Sequence, residues 1–134
     1  MIKQVFNIRH YWEVRVYYNT DFDLFDVIEK DLKDCGISKD SLRELYNVLY
    51  NNQAKAVTFS NLEKHLSIVL FCSHQSKADY INSIVHEAEH VKQAMLQAYQ
   101  IQDKGEPPAY TIGYLVGKMW EVFKGLVCDE CDYR

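Results

Sequence analysis

Residues 84–92 read Ile-Val-His-Glu-Ala-Glu-His-Val-Lys and place two histidines, His86 and His90, four positions apart. Residues with this spacing project from one face of an α-helix, with Cβ atoms about 6 Å apart, so two imidazoles can each direct a nitrogen at one metal ion about 2.1 Å away. Glu87 is rotated by about 100° from His86, which places its carboxylate beside such an ion. There it can accept a proton from an attacking water molecule. The stretch therefore predicts a helical HExxH zinc site.

A catalytic zinc ion takes three protein ligands and leaves its fourth position for water. Glu106 is the candidate for the third ligand, because it opens the next predicted helix and a tight return at Gly105 would bring it back toward the histidines. Asp103, in the connecting loop, is the reserve candidate. Tyr110 lies one helical turn beyond Glu106, where its hydroxyl either donates to a developing oxyanion or simply packs with its hydrogen bond satisfied.

The alternative interpretation is that His86 and His90 are surface histidines that share a helix by chance. Three features of the surrounding sequence favour the metal site. The predicted buried stripe of the helix lies on a different face from the histidines, a predicted hairpin precedes the helix, and a glutamate begins the next helix. The remaining histidines (His10, His65 and His74) lie in or next to predicted strands, and we interpret them as structural or solvated residues.

Length and composition indicate a single globular domain over residues 1–134. Hydrophobic residues make up 48% and charged residues 25%, which is ordinary for a soluble protein. The formal charge of −4 gives no electrostatic reason to expect nucleic acid as a partner, and no apolar run approaches the roughly 20 residues that span a bilayer. The N-terminus alternates and is charged throughout, unlike a signal peptide. We therefore expect a cytoplasmic protein without a membrane partner.

The chain has four cysteines, Cys35, Cys72, Cys128 and Cys131. Disulfides are not expected in a reducing compartment. Cys128 and Cys131 have zinc-knuckle spacing, but no second CxxC or nearby histidine pair completes a tetrahedral ligand set. We interpret this end of the chain as an acidic tail.

Hydrophobic periodicity predicts an α+β fold in which a short antiparallel sheet with a hairpin packs on helices. The predicted strands cover residues 2–18, 56–59 and 65–72, and the predicted helices cover residues 22–35, a short segment capped by Ser38 or Asp40, residues 76–100, and residues 107–126. The buried stripe expected on the longest helix consists of Ile81, Ile84, Ala88, Val91, Met95 and Ala98. Gly113 and Gly117, four apart on the last helix, are interpreted as a site of close helix packing.

The segment SIVHEAEHVKQAM followed by GEPPAYTIGYLVGKM resembles small metallopeptidase-like proteins encoded by bacteriophages and prophages. These proteins are minigluzincin-like and belong to the gluzincin side of the zincins. The resemblance is specific over residues 80–120 and architectural before them. It implies a zincin-like fold, zinc on His86, His90 and Glu106, and Glu87 as the general base. It also implies that a strand of the hairpin, residues 56–60, forms the rim where an extended peptide substrate pairs.

One position departs from the family pattern. Many gluzincins carry an acidic or small polar residue one turn after the ligand glutamate, where it orients a histidine, and this chain has Tyr110 there. Support for the histidines must then come from elsewhere. The sequence predicts a zinc-dependent metallopeptidase that acts on a peptide or protein substrate. The alternative is a non-catalytic zinc-binding accessory domain of phage or prophage origin.

Overall fold

The computed structural model describes residues 1–9, 11–20 and 25–126, and within them the chain forms four strands and four helices. In chain order these elements are β1 (Ile2–Ile8), β2 (Trp12–Thr20), α1 (Phe25–Asp34), α2 (Lys39–Tyr50), β3 (Ala56–Asn61), β4 (Leu66–Cys72), α3 (Lys77–Tyr99) and α4 (Glu106–Phe123). They divide into an N-terminal unit, Met1–Ser73, and a C-terminal unit, His74–Arg134. His10, the expected first turn of helix 22–35, and the Cys128 and Cys131 pair lie outside the described residues.

The strands of the N-terminal unit form one mixed sheet in the order β1-β2-β4-β3. β1 pairs antiparallel with β2, and β3 pairs antiparallel with β4, as the predicted hairpin requires. The central strands β2 and β4 run parallel, with Val16 opposite Val69. The predicted α+β class is confirmed, but the predicted antiparallel sheet is wrong. Two helices and β3 separate β2 from β4 along the chain, and a connection of that length allows parallel pairing.

The N-terminal run of residues 2–18, predicted as one strand, is a hairpin of two strands. Arg9 ends β1 in the left-handed region, with φ of 52°, and the Tyr11 amide donates to the Ile8 carbonyl at 3.0 Å. Alternation continues on both sides of this turn because both strands have buried side chains at every second position, namely Phe6, Ile8, Trp12, Val14 and Val16. A period of two therefore indicates the strand but not the point of reversal, since no glycine or proline marks this turn.

α1 and α2 share an apolar core with side chains of the sheet. Gly36, with φ of 82°, follows α1 as predicted, and its amide donates to the Lys33 carbonyl at 2.9 Å. Ser38 is the cap of α2, because its hydroxyl accepts from the Ser41 amide at 3.1 Å. The buried members of this core are Tyr17, Phe25, Ile28, Leu32, Cys35, Leu45, Leu49, Leu66, Ile68 and Leu70.

A buried carboxylate ties α1 to β1 and β2. Asp31 is 7% exposed and pairs with Lys3 Nζ at 2.8 Å and Arg15 Nη1 at 2.9 Å, while the Tyr17 hydroxyl donates to it. Burial alone would raise the pKa of Asp31, but the hydrogen bonds from Lys3 and Tyr17 and the charges of Lys3 and Arg15 outweigh it. The net result is a pKa below the ordinary value. The ionised carboxylate is therefore the form that the fold stabilises.

The C-terminal unit is built on α3 and α4, which pack against each other. Ser76, the first residue of the predicted helix, caps α3, because its hydroxyl accepts from the Asp79 amide at 3.0 Å. Gln100 follows the helix in the left-handed region, with φ of 57°. Four of the six residues predicted for its buried stripe are buried: Ile84, Ala88, Val91 and Met95. Ile81 is exposed instead, because its neighbour Tyr80 occupies the buried side of that turn.

The predicted role of Gly113 and Gly117 in close helix packing is wrong. A Cβ added at either glycine would meet nothing within 4 Å, and both residues are exposed. α4 buries the opposite side, through Pro108, Leu115, Met119 and Phe123. The helix ends at Phe123, three residues before the predicted end.

Candidate metal centre

His86 and His90 lie one turn apart on an exposed face of α3. Their ring centroids are 4.8 Å apart, and the rings are nearly perpendicular, at 77°. The two Nε2 atoms are 3.2 Å apart, which is within hydrogen-bonding distance. Two nitrogen ligands at about 2.0–2.1 Å from a tetrahedral zinc ion are separated by about 3.3 Å. The histidine pair therefore fits two adjacent corners of a zinc coordination sphere.

Glu87 is buried although it stands next to the exposed histidines. It is 4% exposed, and its Oε2 lies 3.9 Å from His86 Nε2. The carboxylate is therefore beside the histidine pair, as the spacing predicts. Its burial was not evident from the sequence, where only the apolar residues of α3 indicated the buried side.

Glu106 and Tyr110 are on the first two turns of α4. Gly105, with φ of 79°, precedes the helix, and the two prolines that follow Glu106 lie in its first turn, as predicted. The side chains of Glu106 and Tyr110 are both exposed, Tyr110 by 67%. The packed alternative for Tyr110 is therefore not observed, and its side chain lies on the solvent side of α4.

The structure brings the two histidines together but does not gather a third ligand with them. In residues 1–9, 11–20 and 25–126, no three side chains of His, Cys, Asp or Glu are grouped so that they could hold a metal ion. His86, Glu87 and His90 occupy one site on α3, and the Glu106 carboxylate is outside that group.

The reserve ligand Asp103 is engaged elsewhere. Its Oδ1 lies 3.1 Å from Nζ of Lys92, a buried residue of α3, and the same ammonium lies 2.9 Å from Glu89 Oε2. Hydrogen bonding to Glu89 raises the pKa of Lys92 against the effect of burial, and Asp103 adds to it. Hydrogen bonds from Gln93 and Lys92 lower the pKa of Glu89. Both carboxylates are therefore partners of the lysine.

Two other histidines have local partners. His65 stacks on Trp12, with ring centroids 5.4 Å apart, and its Nδ1 donates to the Tyr11 carbonyl at 3.1 Å. His74 stacks on Tyr80, and its Nε2 hydrogen-bonds the hydroxyl of Ser83 at 2.7 Å. The His74–Ser83 pair fixes the chain just before α3 to a residue one turn ahead of Glu87. No signal in the sequence indicated this pair.

No match is found among protein-family models, curated proteins or solved structures. None of the helices that the structure describes is long and apolar enough to cross a membrane. The chemistry of the α3 site therefore carries the functional argument.

Proposed function

We propose that this protein is a zinc-dependent metallopeptidase. His86, His90 and Glu106 are the zinc ligands, and Glu87 is the general base. The observation that carries the proposal is the 3.2 Å separation of the two Nε2 atoms, with the buried Glu87 carboxylate beside them. Two free surface histidines have no need of a neighbouring buried carboxylate, whereas metal-assisted hydrolysis needs a base next to the ion.

A bound zinc ion supplies Lewis acidity toward the peptide carbonyl and toward water. Glu87 accepts the proton of the attacking water at a carboxylate oxygen and then delivers it to the amide nitrogen that leaves. Burial of Glu87 restricts its rotation, so that Oε2 stays near His86 Nε2. Tyr110, exposed on the same helix as Glu106, supplies a hydroxyl donor for the oxyanion.

The extended substrate is proposed to pair with β3. This strand is at the edge of the mixed sheet, next to β4 only, and an edge strand offers backbone hydrogen bonds without regard to side-chain sequence. The resemblance to minigluzincin-like proteins implies the same role for residues 56–60. The zincin-like fold and the phage or prophage origin are parts of the same proposal.

A structural zinc site is the competing function. Such sites are usually closed by four protein ligands, most often cysteines. A structural ion would also gain nothing from Glu87. The buried carboxylate beside the histidine pair thus favours the catalytic proposal over the accessory domain.

Elemental analysis of the untagged protein, together with a peptide-library hydrolysis screen, tests the proposal. We expect one zinc ion per chain, and chelator-sensitive cleavage in the screen. His90→Gln should lose both, because one of the ligands is removed. His65→Gln is the matched control, since His65 stacks on Trp12 in the N-terminal unit and should keep both. Zinc without cleavage would favour the accessory domain, and a protein that takes up no zinc would reject both functions.

A further inference from the structure

Lys92 is a buried cation that joins α3 to the loop before α4. It is 7% exposed, and its ammonium contacts Glu89 on α3 at 2.9 Å and Asp103 in the loop at 3.1 Å. Lysine is rarely this buried unless its charge is paired. Lys92 is two residues after His90, and Asp103 is three residues before Glu106. The contact therefore connects the immediate neighbourhoods of two proposed zinc ligands.

The position of the pair along α3 shows how the loop runs. α3 ends at Tyr99, and Lys92 is seven residues earlier, which corresponds to roughly 10 Å along the helix axis. Asp103 is only four residues beyond the helix end. The ion pair therefore holds Asp103 against α3 before α4 begins. Glu106, the first residue of α4, follows Asp103 by three residues.

We propose that Lys92 is a positioning residue for Glu106, acting through its ion pair with Asp103. This inference rests on the proposed function, because it assumes that Glu106 is a zinc ligand. Glu89 pairs with the ammonium from α3, and Asp103 pairs with it from the loop. The two ion pairs together hold the loop against α3. Lys92 itself contacts neither the metal nor the substrate. Its role is to restrain the start of α4, from which the Glu106 side chain must turn toward an ion bound at His86 and His90.

The direction in which Lys92→Met changes zinc affinity distinguishes positioning from simple electrostatics. Removing a positive charge close to a cation site should tighten zinc binding if charge alone matters. Positioning predicts the opposite result for Lys92→Met, because the loop is released and Glu106 coordinates less well. Outer-shell contacts of this kind typically change metal affinity by about 10–100-fold, so we expect the zinc dissociation constant to rise about tenfold or more.

The experiment is a double-mutant cycle on zinc affinity, measured by competition with a chromophoric chelator. The variants are Lys92→Met, Glu106→Ala and the double variant. If Lys92 acts through Glu106, then Lys92→Met should weaken zinc binding in the parent but change it by less than about twofold in the Glu106→Ala background. The visible absorption of the Co²⁺ form should change in the same way in Lys92→Met and Glu106→Ala, because both lose the same ligand.

Asp103→Asn provides the second variant. Asp103 is more exposed than Lys92, so its replacement is the milder test of folding, and it should weaken zinc binding by a similar factor. Lys118→Met is the matched control, since this lysine is on α4 and pairs with Glu121 of the same helix at 3.9 Å. It should retain parental affinity. Thermal unfolding of each metal-free variant verifies that the fold is kept.

The failures of the two proposals are distinguishable. A parent protein that binds no zinc, or a Glu106→Ala variant that binds zinc as the parent does, would overturn the proposed ligand set and this inference with it. If the parent and Glu106→Ala behave as expected but Lys92→Met and Asp103→Asn bind zinc with parental affinity, only the positioning role is wrong. An equal loss from Lys92→Met with and without Glu106 would also overturn it, because the lysine would then act on the fold as a whole.

Discussion

Glu87 combines two properties that rarely occur together on a helix surface: its carboxylate is buried, and it stands 3.9 Å from an exposed imidazole nitrogen. The position of this carboxylate beside His86 Nε2 suits a proton acceptor if a metal ion is bound to the histidines. In the proposed mechanism this carboxylate receives a proton from a water molecule and is not a zinc ligand.

Replacing Glu87 with Gln separates metal binding from catalysis. Glutamine keeps the size and helix propensity of the side chain but cannot act as the proton acceptor. We expect Glu87→Gln to bind zinc with an affinity within a few-fold of the parent and to hydrolyse a cleavable peptide about 10²–10⁴-fold more slowly. Both quantities can be measured on one preparation, by chelator competition and by fluorescent peptide cleavage.

Glu106→Ala is the comparison for this variant, because it should lose zinc directly. If Glu87→Gln loses zinc to the same extent, Glu87 is a ligand or a structural support, and the accessory-domain interpretation moves ahead. Parental cleavage by Glu87→Gln would show that another group is the base.

At the scale of single elements, the Asp31 network fixes α1 on the first two strands. Asp31→Asn should lower the free energy of unfolding by about 1.5–3 kcal/mol at pH 7, because it removes charge-assisted hydrogen bonds from Lys3, Arg15 and Tyr17. The folded-state pKa of Asp31 lies below the unfolded value, so its contribution is fully present above the unfolded pKa of about 3.9. The contribution is lost as the pH falls through the folded-state pKa.

Urea unfolding of the parent and of Asp31→Asn between pH 7 and pH 2.5 measures this contribution. The stability difference should be constant near neutrality and shrink in acid. Asp34→Asn is the control, since Asp34 is half exposed and reaches Arg15 only at 3.4 Å, and it should cost less than about 0.5 kcal/mol. A difference between parent and Asp31→Asn that grows as the pH falls would contradict the assigned direction of the pKa shift.

For the glycines of α4 we predict that substitution increases the stability of the fold. Glycine in a helix interior is less stable than alanine by roughly 0.5–1 kcal/mol, and nothing within 4 Å would obstruct a Cβ at Gly113 or Gly117. Each alanine substitution should therefore raise the free energy of unfolding by about that amount in a urea titration. Gly36→Ala is the contrasting control, because φ is 82° there and the new Cβ would lie 3.0 Å from Asn61 Nδ2. Destabilisation by Gly113→Ala would mean that α4 has a neighbour at that face in solution.

The starts of α2, α3 and α4 were the part of the fold that could be predicted well. Ser76 and Ser38 cap their helices through local hydrogen bonds, and such bonds depend only on nearby sequence. The parallel pairing of β2 with β4 could not be predicted, because it joins segments about fifty residues apart and periodicity carries no information about partners. The error at Gly113 has the same origin, since the spacing of two glycines does not say which face of a helix meets a neighbour.

In the candidate site, too, one part could be predicted from local sequence and the other part depends on tertiary structure. The placement of His86, Glu87 and His90 follows from helix geometry alone, and the structure has the three side chains together. The third ligand depends on how the loop after α3 returns, which is a tertiary property. Asp103 illustrates this, because its pairing with Lys92 could not be recognised from the sequence. The Glu106 ligand role and the zinc ion stay predictions.

At the scale of the whole molecule, the question is whether zinc binding on α3 stabilises the entire chain. A sheet with two helices and a helical pair are each small for independent stability, so we expect residues 1–134 to unfold as one domain. A ligand that binds only the folded state stabilises it by about 2.7 kcal/mol at a free concentration one hundred times its dissociation constant. For a chain of this length that corresponds to a rise in Tm on the order of 10 °C.

The two tryptophans make this testable, because Trp12 is buried in the N-terminal unit and Trp120 is 42% exposed on α4. Trp120→Phe leaves Trp12 as the only tryptophan, so its fluorescence reports the N-terminal unit while far-UV circular dichroism reports both. With zinc added, the fluorescence and dichroism transitions of Trp120→Phe should coincide and rise together. The same variant carrying His90→Gln should show no rise. If dichroism becomes biphasic and the Trp12 transition does not move with zinc, the metal stabilises only the helical pair. The prediction of one domain is then wrong, although the zinc site is real.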